Sequence, residues 1–194
     1  MPASRPPIIV VAPDSFKGSL DAPAVCAAVA RGLRRVWADA EVRACPMADG
    51  GEGTLAAVLS RGGERRVRRV TGAGGAPRAA AYGMVAATEG TTAIIEAAEI
   101  VGITDLDGMA VAVSARSTGG VGELIVALLD AGVRRFMIGL GGSSTNDGGA
   151  GLLAALGLRL VAGNGDAVAP TPAGLANLAS ADASGLDQRL GGCA

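Results

Sequence analysis

The run Gly139-Leu140-Gly141-Gly142-Ser143-Ser144-Thr145-Asn146-Asp147-Gly148-Gly149-Ala150-Gly151 constrains this chain more than any other stretch. The apolar Phe136-Met137-Ile138 precedes it, and the helix-like Leu152-Leu153-Ala154-Ala155-Leu156 follows. That order makes a strand, a tight turn and a helix, the building unit of a parallel α/β sheet. Its glycines let backbone N–H groups approach an oxyanion, and the start of the helix adds a positive dipole end. Five consecutive polar side chains, Ser143 to Asp147, stand between two glycine pairs. A loop that needed only flexibility would not require them. Asn146 and Asp147 supply groups suited to a metal ion or a hydroxyl, so the run points towards phosphoryl chemistry.

Composition narrows the classes further. The 194 residues suffice for one domain of ordinary size, or one plus part of another. Hydrophobic residues make up 49% but aromatics only 2%, so the core must be built from Ala, Val, Leu and Ile. A net charge of −1 gives no electrostatic case for nucleic acid or an anionic membrane as partner. No apolar run approaches the ~20 residues that span a bilayer. The start lacks a signal-peptide core, because Ile8 to Ala12 has the length of a strand. A cytoplasmic location is therefore expected. Cys26, Cys45 and Cys193 show no metal spacing; Cys26 and Cys45 read as small buried hydrophobes.

Two absences matter. The chain has no histidine, which excludes Ser-His-Asp and Cys-His nucleophilic systems and weakens any zinc site. Its one lysine among seventeen basic residues is Lys17, within Pro13-Asp14-Ser15-Phe16-Lys17-Gly18-Ser19.

Along the chain, Ile8 to Ala12 reads as a buried strand. Asp21 is placed to cap a helix that has Pro23 in its first turn and runs to about Trp37. Glu41 to Cys45 reads as a strand, Asp49-Gly50-Gly51-Glu52-Gly53 as a second glycine-rich loop, and Thr54 to Leu59 as a helix. Arg65 to Thr71 reads as a solvated strand face, and Arg78 to Ala86 and Thr91 to Glu96 as short strands of an antiparallel section. A helix enters at Thr118-Gly119-Gly120 and stops at Ala131-Gly132; the strand Arg135 to Leu140 follows. Leu158 to Val161 and Ala167 to Ala169 suggest a hairpin around Gly163-Asn164-Gly165-Asp166. The tail from Thr171 is polar and short of core-forming elements.

The expected class is α/β, with a parallel Rossmann-like or flavodoxin-like sheet and a small antiparallel β section. Residues 1–63 and 99–160 form the Rossmann-like part, 64–98 a β-rich segment that could begin a second domain, and 161–194 an incomplete C-terminal segment. Loops at the C-terminal ends of parallel strands converge on one crevice. Four loops here carry glycines, hydroxyls or acids: Asp14 to Ser19, Asp49 to Gly53, Thr118 to Gly122 and Ser143 to Gly149. Phosphoryl transfer needs a cation for the phosphates, a carboxylate-held metal and often a base at the attacking hydroxyl. Lys17 can supply the first, and Asp14, Asp49, Glu52 and Asp147 the others. Each loop but the last also has an ordinary reading as turn or helix-entry chemistry. The Walker pattern is absent.

Three long blocks together resemble the bacterial glycerate kinase family. They are Ala12-Pro13-Asp14-Ser15-Phe16-Lys17-Gly18-Ser19-Leu20, Pro46-Met47-Ala48-Asp49-Gly50-Gly51-Glu52-Gly53-Thr54 and Ile138 to Gly151. Thr118 to Ile125 and Ser184-Gly185-Leu186-Asp187 fit as well. The resemblance covers nearly the whole chain but about the first half of the family's length. Later blocks of the form Cys-Asp-Val-x-Asn-Pro-Leu and Phe-Gly-Pro-Gln-Lys-Gly-Ala are absent, so the chain is expected to be an N-terminal half.

The resemblance implies a two-domain α/β fold with the site between the domains. It implies ATP-dependent phosphorylation of D-glycerate, at the 2-hydroxyl, with Mg²⁺. In that setting Lys17 would meet phosphate or the glycerate carboxylate, and Asp49 or Asp147 would act as base or metal ligand. Gly141, Gly142, Ser143, Ser144, Asn146, Thr118 and Gly119 would hold the nucleotide phosphates. Asp14, Ser15, Ser19 and Glu52 would meet substrate. Two alternatives stay open: a non-catalytic nucleotide- or phosphometabolite-binding fragment, and another small-molecule kinase. A homo-oligomer is left open, as is activity without the second half.

Overall fold

The computed structural model describes residues 6–16 and 19–194. The chain opens with β1 (Ile8–Val11), α1 (Ala22–Val36) and β2 (Glu41–Ala44). The Asp21 carboxylate accepts the Ala24 N–H at 2.8 Å, and Pro23 sits where a missing N–H costs nothing. Arg34 and Arg35 occupy the last turn, where the helix dipole favours cations. Val25, Cys26 and Ala30 form the buried stripe of α1. β1 and β2 pair in parallel, from Ile8 opposite Glu41 to Val11 opposite Ala44.

α2 (Thr54–Leu59) leads to β3 (Glu64–Thr71), β4 (Pro77–Ala87) and β5 (Gly90–Glu96). After α3 (Ala97–Val101), α4 (Leu106–Ala110) and α5 (Gly119–Asp130), β6 (Arg135–Gly139) completes a four-stranded sheet of order β3-β4-β5-β6. β3–β4 and β4–β5 are antiparallel, whereas β5–β6 is parallel. The class is α/β with parallel pairing and an antiparallel section, as the strand–loop–helix pattern indicates. The parallel pairs are shared between two sheets, and the strands of segment 64–98 lie in one sheet with β6.

The main core lies between this sheet and α3 and α5. Ile95, Ile100, Val121, Leu124 and Leu129 are fully buried within it. A second cluster of Leu55, Ala81 and Ile94 lies under α2 on the other face. β5 is thus covered on both sides, which is why Ala93, Ile94 and Ile95 run on without polar alternation. The core is aliphatic throughout, apart from Tyr82 and a partly buried Phe136.

The C-terminal quarter differs from expectation. After α6 (Ala150–Ala155), β7 (Arg159–Ala162) pairs with β8 (Leu178–Asp182), beyond α7 (Pro172–Leu175). The Gly163–Asp166 turn does form, with the Ala162 N–H on the Asp166 carbonyl at 2.9 Å. Its returning arm makes only one bridge, Val161 to Ala167, before Pro170, which has no N–H to donate, and Pro172 turn the chain away. The tail also contributes to the core. Leu186, Leu190 and Cys193 pack against the main cluster. Arg189 holds Asp187 and Asp130 in ion pairs, and its guanidinium keeps the Asp187 carboxyl near a pKa of about 2. No helix among the described residues is long and apolar enough to cross a membrane.

Candidate functional site

The loops after β1, β2 and β6 are joined backbone to backbone. The Met47 N–H donates to the Pro13 carbonyl at 3.0 Å, tying the first loop to the second. The Gly141 N–H donates to the Gly50 carbonyl at 2.8 Å, tying the second to the third. A Cβ at Gly141 would lie 2.6 Å from Gly51 Cα, and one at Gly139 would lie 2.6 Å from the Gly50 oxygen. Only glycine permits this approach. The glycine that reads from sequence as a phosphate contact is here also a packing requirement.

A second seam joins the third loop to the entry of α5, and Asp147 makes it. This carboxylate is 2% exposed. One oxygen accepts the Thr118 N–H at 2.7 Å, the Thr118 hydroxyl at 2.8 Å and the Gly151 N–H at 3.1 Å. The other accepts the Gly149 N–H at 3.1 Å. Thr118 Oγ1 in turn accepts the Leu152 N–H at 2.9 Å. The Ser117 hydroxyl stands 3.5 Å from the same carboxylate, and Gly119 donates to Ser117 Oγ at 3.3 Å. Asp147 and Thr118 therefore fasten the starts of α5 and α6 to each other. One oxygen of this buried carboxylate is thus filled with donors, while the other accepts a single N–H. The geometry gives it a positioning role at the junction of the two helices.

Between the seams lies Ser143-Ser144-Thr145-Asn146. Ser143 and Thr145 share a hydrogen bond of 2.7 Å between their hydroxyls, and the Thr145 N–H donates to Ser143 Oγ at 3.2 Å. Asn146 is exposed at the surface of the loop. Ser144 is buried, and its hydroxyl finds no partner among the described residues. A buried hydroxyl without a partner costs roughly 1–3 kcal/mol, so a ligand oxygen or water at this point would relieve it. The Ser144 carbonyl is held by the buried Arg116 guanidinium at 3.0 Å. Arg116 also donates to the carbonyls of Val111 and Met109, and meets no carboxylate at ion-pair distance among the described residues.

Glu96 anchors the second loop. It is 3% exposed, ends β5, and lies opposite Gly139 in the parallel ladder. Its two oxygens accept the Gly53 N–H at 3.1 Å and the Leu55 N–H at 2.9 Å, satisfying the open start of α2. Burial pushes its pKa up; the two backbone donors pull it down, and Glu99 and Glu52 push it up further. A carboxyl raised in the folded state contributes stability that is complete below its unfolded pKa. That contribution is lost as pH rises through the folded value. Wild type should therefore gain unfolding free energy relative to Glu96→Gln between pH 7 and pH 5, read from urea midpoints. A constant difference across that range would remove Glu96 as the source.

Asp14, Ser15, Ser19 and Glu52 line a single cavity of about 250 Å³ between the first and second loops. The four residues expected at substrate thus come together. Asp49 is exposed at the head of the second loop, with one oxygen on the Gly51 N–H at 3.1 Å. Lys17 lies outside the described residues. Among the described residues, no three His, Cys, Asp or Glu side chains come together to hold a metal ion. Mg²⁺ typically needs only one or two carboxylates when phosphates supply the rest; Asp49 and Glu52 are exposed carboxylates of the second loop, and Asp147 is buried.

Sequence reasoning passed over Glu96 and Arg116. An acid closing the apolar run Ala93-Ile94-Ile95 was the available signal for the first. Nothing distinguished Arg116 from the other arginines.

The Glycerate kinase family model matches residues 9–194. The chain is 45% identical over 185 residues to a glycerate kinase of Bacillus subtilis, covering 94% of this chain and 47% of that protein. It is 41% identical to a glycerate 2-kinase of Escherichia coli K12, covering 95% and 48%. The crystal structure of a Salmonella typhimurium LT2 protein described as a glycerate kinase 2 superposes with a TM-score of 0.77 at 43% identity, covering 97% of this chain and 50% of that one. The chain spans about half the length of these curated relatives. With seams, loops and sequence blocks all in agreement, the chain belongs to the glycerate kinase family.

Proposed function

We propose that this chain carries the phosphate- and substrate-handling loops of an ATP-dependent glycerate kinase. The observation that supports this most is the junction of the three loops after β1, β2 and β6 with the entry of α5, with the unpartnered Ser144 hydroxyl buried among them. The relatives' names add the acceptor, glycerate, and in one case the 2-position. In the reaction proposed, the 2-hydroxyl oxygen of D-glycerate bonds to the γ-phosphorus of ATP. The bond to the β–γ bridging oxygen breaks, ADP leaves, and the hydroxyl proton passes to a carboxylate. Asp49 and Glu52 are exposed carboxylates of the loop cluster, and Asp49 is the candidate for that proton or for the ion. Mg²⁺ would neutralise the phosphate charge. Ser143, Ser144 and the adjoining backbone would orient the phosphates, while Asp147, Thr118, Glu96 and Arg116 hold the loops in place. Lys17 would meet an anionic group of either substrate.

³¹P NMR of the chain with ATP, Mg²⁺ and D-glycerate tests the reading. A new phosphomonoester signal at the 2-position, growing with ADP, is the expected result. Lys17→Ala should reduce that rate on the order of 100-fold, with the unfolding midpoint unchanged. Wild-type rates in that variant would remove Lys17 from the site. Because the chain spans half the length of its relatives, the second reading is a binding unit without turnover. Bound ATP and glycerate with no phosphomonoester would favour it.

A further inference from the structure

Arg116 is the one buried arginine among the described residues, at 8% exposure. All 18 Asp and Glu side chains of the chain lie among those residues, and none comes within ion-pair distance of it. Less buried arginines do find acids: Arg78 meets Asp105 at 2.9 Å, and Arg189 meets Asp187 and Asp130. The Arg116 guanidinium instead donates to the carbonyls of Val111 at 2.9 Å, Met109 at 3.0 Å and Ser144 at 3.0 Å, and its Nη1 also meets Met109 Sδ at 3.1 Å. Met109 and Val111 stand at the C-terminal end of α4, whose open carbonyls a neutral donor would satisfy as well. The charge is not needed to fix the loop either. The Ser144 N–H donates to the Val101 carbonyl at 2.7 Å, the Ile103 N–H donates to the Gly142 carbonyl at 2.9 Å, and Gly102 bridges Ser143. Carbonyl dipoles offset part of the cost of desolvating a cation and leave its charge unbalanced. Asp147, on the same loop, accepts its bonds from Thr118, Gly149 and Gly151. The unpartnered buried hydroxyl belongs to Ser144, the residue whose carbonyl the guanidinium holds.

We infer that Arg116 is the resident positive charge of the Ser143–Asn146 loop, and that the phosphate chain of a bound nucleotide is its missing counter-ion. An uncompensated cation and an unsatisfied hydroxyl meet at one residue of that loop, and a polyanion answers both. The guanidinium acts from behind the Ser144 backbone, through its field, and its hydrogen bonds stay with the carbonyls. The inference rests on the kinase reading above and adds to it the source of the charge that draws phosphate to the loop.

The test supplies Arg116 with a counter-ion of the protein's own. Met109 is 40% exposed and its sulfur already touches the guanidinium, so Met109→Glu places a carboxylate there without disturbing the core. Met109→Gln has nearly the same shape and no charge. Inorganic tripolyphosphate and, separately, D-glycerate are titrated by calorimetry into wild type and both variants in metal-free buffer, with urea midpoints measured alongside. Tripolyphosphate should bind wild type and Met109→Gln within about twofold of each other, and Met109→Glu should bind it about tenfold more weakly, with a midpoint no lower than that of Met109→Gln. Equal affinities in the Glu and Gln variants overturn the inference, because an arginine that only closes α4 is indifferent to a neighbouring carboxylate. Tripolyphosphate that fails to bind wild type overturns it too. Weakened D-glycerate with unchanged tripolyphosphate would give the charge to the glycerate carboxylate and overturn the assignment to phosphate. Tripolyphosphate affinity that follows the charge, with no phosphoryl transfer from ATP, would sink the kinase reading and leave Arg116 in its role. Phosphoryl transfer with equal affinities would do the reverse.

Discussion

Asp147→Ala should lower the unfolding free energy by about 3–5 kcal/mol, because it strands buried donors that each cost roughly 1–3 kcal/mol when unmade. Four short hydrogen bonds end on this carboxylate, from Thr118 twice, from Gly149 and from Gly151. Alanine leaves the N–H groups of Thr118 and Gly151 facing an apolar methyl. Chemical denaturation followed by circular dichroism measures the loss as a shift in midpoint. Asp147→Asn keeps one acceptor oxygen and should fall between the two. A solvent-facing base predicts the opposite pattern: turnover abolished with the midpoint unmoved. That result would return Asp147 to the chemistry. The size of the expected effect follows from burial, since the same bonds at an exposed turn would exchange with water at little net cost.

Gly120→Ala should be destabilising by about 3 kcal/mol or more, the cost of forcing a methyl into a packed interior whose neighbours are backbone. A Cβ at Gly120 would overlap the Thr71 carbonyl oxygen, and it would stand 3.0 Å from the Ile100 side chain. Neither neighbour swings aside, because one is main chain at the end of β3 and the other is fully buried. Gly119→Ala is the matched control. Its added methyl would find only Ser117 Oγ, at 3.7 Å. Alanine is also the better helix former, so the control should unfold no earlier than wild type. Equal midpoints for the two variants would show that α5 can shift away from β3. Reduced ATP affinity in the stable Gly119→Ala protein would mark Gly119 as a site of close ligand approach.

Much of the local architecture was legible because its causes are local. Asp21 caps α1 and Pro23 occupies its first turn, while Thr54 to Leu59 is helical as its spacing indicates. The loop cluster was legible too, since parallel βα units bring their loops to one end of the strands. The C-terminal quarter was not. Leu186, Leu190 and Cys193 reach the core from a segment with no periodicity, and nothing in the sequence of β7 names β8 as its partner.

Residue types and their order were enough to determine an α/β chain with glycine-rich loops after its strands, and to place it in the glycerate kinase family. Which loop aspartate stays exposed and which is buried was decided only by packing. Asp49 and Asp147 are both loop aspartates beside glycine pairs, and their sequences do not separate them. One lies exposed with a single N–H on one oxygen; the other is enclosed by donors from α5 and α6. What a carboxylate accepts depends on what other elements bring to it, and Thr118 at the entry of α5 lies 29 residues away in the chain. Glu96 and Arg116 became visible for the same reason. Glu96 meets N–H groups 41 and 43 residues away, and Arg116 reaches the Ser144 carbonyl 28 residues away, so each role exists only once the fold has brought those loops together.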